Sequence, residues 1–185
     1  MIIIRIIVRP TQRQTNGPPM SITAGSRFHQ PTAHDLNYME RLVLHALRQW
    51  VRNRAGWSEI VLEFNRACGP RTATRLCEAL DDLFRGVGIE ARRHLRLYPP
   101  VCCRVSQDEL CILNLIAARQ AGAGQHADAL LLWLVPESAA VRICESTRMI
   151  ARELFESGYV LEYRTQPDSI EAGGAGLPRL VRSAN

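Results

Sequence analysis

The chain has 185 residues, 46% of them hydrophobic and 22% charged. That suffices for one domain with a true core and fits ordinary globular protein rather than a disordered or membrane-embedded chain. All 23 basic side chains are arginine, which excludes a P-loop lysine, a Schiff base and a lysine general base, and the net charge of +5 is uneven: residues 1–32 carry four arginines and no acid, 33–164 carry 17 arginines against 16 acids, and 165–185 balance two against two, so the body exerts no general field that steers a polyanion.

The opening MIIIRIIVR is too short and too interrupted by arginine to span a bilayer, and no small-residue cleavage site follows it. A cytoplasmic protein with reduced thiols is expected. Residues 10–31 hold four prolines and almost no apolar period, and the C-terminal stretch has the same character. An irregular arm over 1–31 and an irregular tail over 165–185 therefore flank a helical domain over 32–164. Met20 opens MSITAGSRF and is a candidate alternative start.

The first helix is expected from Thr32, capped with Asp35 three residues on, to about Arg54. Leu36, Met39, Val43, Ala46, Leu47 and Trp50 form its apolar stripe. Arg41, His45, Arg48 and Arg52, continued by Arg54, lie opposite and should meet solvent or an acidic partner. WSEIVLEFNRAC makes a second helix ending at Gly69-Pro70. A third, over roughly 71–87, places Ala73, Leu76, Cys77, Leu80, Leu83, Phe84 and Val87 on one face. Across their junction GPRTATRLCEAL resembles the turn and recognition-helix start of a helix-turn-helix. An offset of one, however, puts Arg75 and Glu78 at core positions, and Glu78 and Asp82 would repel phosphate, so a structural hairpin is expected.

Alternation of Ile89, Ala91, Leu95 and Leu97 suggests a short strand over about 90–97, with about 159–164 as its partner. The fourth helix is specified twice. Ser106 and Glu109 form a capping box, and Val105 and Leu110 a hydrophobic staple, so it starts at Gln107. Its span is apolar on nearly every side and belongs at a bundle centre. HADALLLWLV then runs to Pro136, and a last helix to Gly158 turns Ala140, Ile143, Thr147, Ile150, Ala151 and Leu154 inward. The sum is a mainly all-α compact bundle of five or six helices.

Six cysteines raise metal and thiol chemistry, three of them in VCCRVSQDELC at 101–111. There is no C-x-x-C pair, and Cys102 and Cys103, adjacent in extended chain, point to opposite sides. Cys77, Cys111 and Cys144 fall in apolar helix sectors, where a free cysteine behaves as a small hydrophobe. No metal site and no cofactor are expected. Cys103, beside Arg104 and near a helix start, is the candidate reactive thiol, although no histidine is fixed nearby by sequence and His94 could come close only through the fold. Asp81-Asp82 and Asp108-Glu109 are neighbours that diverge around a helix. No nucleophile elbow, phosphate loop or zinc-protease motif occurs, so an enzyme is not expected. The candidate binding residues are Arg41, His45, Arg48, Arg52, Arg54, Arg92, Arg93 and Arg96, facing a phosphate or an acidic protein. A non-catalytic protein-interaction or regulatory module results, with a protein partner or a second copy as ligand and no membrane. A nucleic-acid-associated protein using the first-helix arginines is the next expectation, and a cysteine-based metal or redox protein the third.

Overall fold

Six α-helices carry the core in the computed structural model, which describes residues 6–8, 31–52, 54 and 56–164. In chain order the elements are β1 (Ile6–Val8), a 3-10 turn (Ala33–Asp35), α1 (Tyr38–Val51), α2 (Trp57–Cys68), α3 (Pro70–Glu90), β2 (Leu95–Leu97), α4 (Gln107–Gln120), α5 (Gly124–Leu134) and α6 (Glu137–Glu156). The fold is thus the mainly all-α bundle that the helical periods predict. Every residue assigned above to the inner faces of α3 and α6 is buried. Burying one such Leu, Ile or Phe side chain contributes about 1.5–3 kcal/mol.

Two capping signals in close succession move the start of α1. Thr32 donates its backbone N–H and hydroxyl to the Asp35 carboxylate, at 2.8 and 2.9 Å, but this caps only the 3-10 turn. Leu36 then runs extended and buried. Asn37 accepts from the Glu40 N–H at 3.0 Å, and Glu40 from the Asn37 N–H at 2.8 Å. This second box outcompetes the first because a whole amphipathic helix follows it, so α1 begins at Tyr38.

α3 lies along α6 in the most extensive helix contact of the bundle, with α2 on its other flank. α4 packs against α1, α5 and α6, and Cys111, Ile112, Leu113, Leu115, Ile116, Ala117 and Ala118 bury its whole circumference. It has no solvent face to speak of, as its sequence predicts. The α2–α3 junction turns at Gly69, with φ +79°, a conformation a side chain rarely adopts, and Pro70 opens α3.

The β element is a correction. Leu95 and Leu97 are buried and Arg96 is exposed, as alternation predicts, but Ile89 and Glu90 belong to α3. The partner strand is β1, parallel, with Ile6 opposite Leu95 and Val8 opposite Leu97. Of the arm expected to be irregular, Ile6–Val8 is therefore strand, while most of the arm and the tail from 165 lie outside the described residues. Residues 159–164 cannot serve as the partner because helix side chains already occupy their backbone. Gln120 donates to Tyr159 O at 2.9 Å and accepts from Leu161 N at 2.8 Å. Asn114 donates to Arg164 O at 2.8 Å and accepts from Arg164 N at 2.9 Å. Asn37 donates to Val160 O at 3.0 Å, and Glu40 accepts from Glu162 N at 3.1 Å. Carboxamides on α4 thus hold the segment as a neighbouring strand would.

Candidate functional site

Four carboxylates are buried among the described residues: Glu40, Asp108, Glu109 and Glu153. Each is gripped at both oxygens by one arginine: Arg164 on Glu40, Arg93 on Asp108, Arg48 on Glu109 and Arg75 on Glu153. The planar guanidinium fork suits this geometry, and lysine could not reproduce it. Asp108 also accepts from Arg96 N at 2.7 Å, and Ser106 Oγ donates to Arg96 O at 2.5 Å. Tyr98 N donates to Glu109 at 2.9 Å. Asp108 and Glu109 therefore diverge around the helix as expected and still act together, fastening β2 to the start of α4.

The predicted binding surface is dispersed by this arrangement. Arg48, expected to face solvent, is 3% exposed; besides Glu109 it donates to Cys102 O at 2.7 Å and Arg104 O at 2.6 Å. The buried side of α1 is wide enough to include Leu44 and Arg48, and Arg48 turns against the 102–109 segment. Charge alone does not report that second buried side. Burial, then Arg48, holds the His45 imidazole below its ordinary value, against a weaker opposing effect of Glu59. Arg41 donates to Leu36 O at 2.5 Å. Arg54 pairs with Asp81 and stacks on Trp57. Arg92 donates to Leu132 O and Val135 O, satisfying the end of α5. Arg93 joins Asp108 to the face of Trp133, 4.2 Å from the ring centroid. Arg52 and Arg96 keep exposed side chains on separate elements.

Cys77 and Cys111 are buried as their helix sectors predict, whereas Cys144 is only half-buried. Cys102 is buried and Cys103 exposed. Burial pushes the Cys77 thiol up to about 11 and the Cys111 thiol up to about 12, far from nucleophilic thiolate. Cys103 O accepts from Ala33 N at 2.6 Å, within the bridge between Thr32 and Arg104, and no hydrogen bond joins its thiol to a base among the described residues. Among those residues no three His, Cys, Asp or Glu side chains stand together as a metal site. No helix among them is long and apolar enough to cross a membrane.

A different cluster of cations forms where the α4–α5 turn meets α6. A groove of about 580 Å³ is lined there by Arg119, Arg148, Arg152, Glu145, Met149 and Phe155, among others. The Arg119 side chain is only 6% exposed. It is held by Asp128 at 2.6 Å, Cys144 Sγ at 3.2 Å and Thr147 Oγ1 at 3.4 Å. Arg148 and Arg152 are 59% and 61% exposed, and their nearest carboxylates stand at 3.6–3.9 Å, outside hydrogen-bond range. Phe155 is 60% exposed at the rim. The spacing of Arg148 and Arg152, four apart on the outer side of α6, was as readable as the α1 stripe. Arg119 was not, because only the packing of α4 on α6 brings it beside them. The chain matches no family model, no curated protein and no solved structure.

Proposed function

We propose that this domain is a non-catalytic interaction module that binds a negatively charged partner through the arginine groove between α6 and the α4–α5 turn. The observation that carries this is the contrast among its arginines. Arg48, Arg75, Arg93 and Arg164 are consumed by buried carboxylates, whereas Arg148 and Arg152 reach no carboxylate within hydrogen-bond distance. Cations held only in loose ion pairs, beside an exposed Phe155 and a half-buried Met149, fit an interface, where arginine and aromatic side chains anchor binding. The non-catalytic part is supported by the same pairing, because each of the four buried carboxylates is locked into a two-point ion pair and is not free to exchange a proton.

The test is retention of the purified chain on immobilised polyglutamate and on random duplex DNA across a salt gradient. The double variant Arg148→Glu/Arg152→Glu should elute from polyglutamate at much lower salt with its helical circular dichroism intact, and Arg41→Glu/Arg52→Glu should behave as wild type. Loss of retention only in the α1 variant would return the surface to the first helix. Retention on DNA alone would make the partner a nucleic acid.

A further inference from the structure

Arg119 is the fixed point of the groove. Its side chain is 94% shielded and three bonds hold Nε and Nη2, yet Nη1 makes no hydrogen bond among the described residues. Gly124 lies beside Nη1, an added Cβ standing 4.0 Å from it in ordinary contact. A buried guanidinium with one edge saturated and the other turned to a cavity is a preorganised donor. It is flanked by two arginines free to move onto whatever it binds. Gly124 is also the first residue of α5, and Ala123 at the N-cap supplies no side-chain oxygen to the first amides, so the helix adds donors of the same sign.

Charge and donor number select the ligand. The lining brings three guanidinium groups together, Arg119 held by Asp128 at 2.6 Å and Arg148 and Arg152 no closer than 3.6 Å to a carboxylate. A carboxylate brings one negative charge and two oxygens. A phosphate monoester brings about −1.5 to −2 at pH 7 and three oxygens, each able to accept a guanidinium fork. Beyond the cations the groove is lined by Met149 and Phe155, among others. We propose that it binds a phosphate monoester, with Arg119 anchoring the phosphate, Arg148 and Arg152 closing on it, and the carbon skeleton lying against Met149 and Phe155. This rests on the groove being the anion-binding surface and adds which anion it takes.

The experiment is an amide chemical-shift titration of the full chain at low salt, following Gly122 and Gly124, with phenyl phosphate and benzoate as ring-matched probes. Phenyl phosphate should shift both glycines and bind about tenfold or more tighter than benzoate. Arg148→Gln/Arg152→Gln should weaken it by about tenfold or more, and Glu145→Gln should strengthen it. Equal affinity for benzoate at the same glycines would overturn the phosphate assignment and leave the anion groove standing. No shift at either glycine with either probe, in a chain whose spectrum is otherwise folded, would overturn both. Adenosine monophosphate and a phosphotyrosine peptide separate the sources. Tighter binding of the first supports the proposal with a free small molecule as ligand, and tighter binding of the second supports it with a modified partner protein.

Discussion

Glu109 accepts four hydrogen bonds while exposing no surface: two from Arg48 at 2.8 and 3.0 Å, one from Ser106 N at 2.8 Å and one from Tyr98 N at 2.9 Å. One carboxylate thus starts α4, holds β2 and draws α1 against both. Saturation of this kind is what makes a buried ion pair tolerable, since the desolvation cost of each charge is offset only by full coordination. Breaking one side should therefore cost far more than replacing both. Arg48→Met is expected to lower stability by about 3–5 kcal/mol in urea unfolding. Arg48→Met/Glu109→Gln should fall well short of the sum of the single changes. A single-variant cost under about 1 kcal/mol would mean that the pair is not desolvated as described.

Among the helices, the α3–α6 contact depends on a missing side chain. A Cβ at Gly86 would stand 2.6 Å from Ile143 Cγ1 and 2.7 Å from Cδ1, and Ile143 is itself only 4% exposed, with little room to retreat. In an exposed helix, exchanging glycine for alanine stabilises by about 1 kcal/mol. Gly86→Ala is instead expected to cost about 1–3 kcal/mol through overpacking. Gly86→Ala/Ile143→Ala should be less destabilised than the two single changes added together, which thermal unfolding of the four proteins will read. Strict additivity would show that the helices simply move apart. The same interface carries Arg75 on Glu153, so the α2–α3 hairpin that resembled a DNA reader has one of its arginines committed to the bundle.

For the whole molecule, the response to acid pH includes Glu153, the carboxylate that ties α3 to α6. The Arg75 hydrogen bonds, helped by the nearby positive charges of Arg75 and Arg152, keep the Glu153 carboxyl below its ordinary value of 4.5 against an opposing effect of burial. A group depressed in the folded state adds stability that is fully present above its unfolded value and is lost as pH falls through the folded one. The stability gap between wild type and Arg75→Gln should accordingly be widest above about pH 4.5 and narrow progressively below it. A gap that stays constant from neutral to pH 3 would remove Glu153 from the acid response. The inner faces of α1, α3 and α6, the doubly marked start of α4 and the opposite sides taken by Cys102 and Cys103 were all legible in the sequence. Each depends on local periodicity, capping or backbone alternation, which the chain carries with it wherever it folds. Tertiary structure alone decided that Arg48 is buried, that β2 takes β1 rather than 159–164, and that Arg119 meets Arg148 and Arg152. Those outcomes join residues 28 or more positions apart in sequence, and which arginine finds a buried carboxylate and which is left facing a groove depends on how the helices pack rather than on the pattern of any one of them.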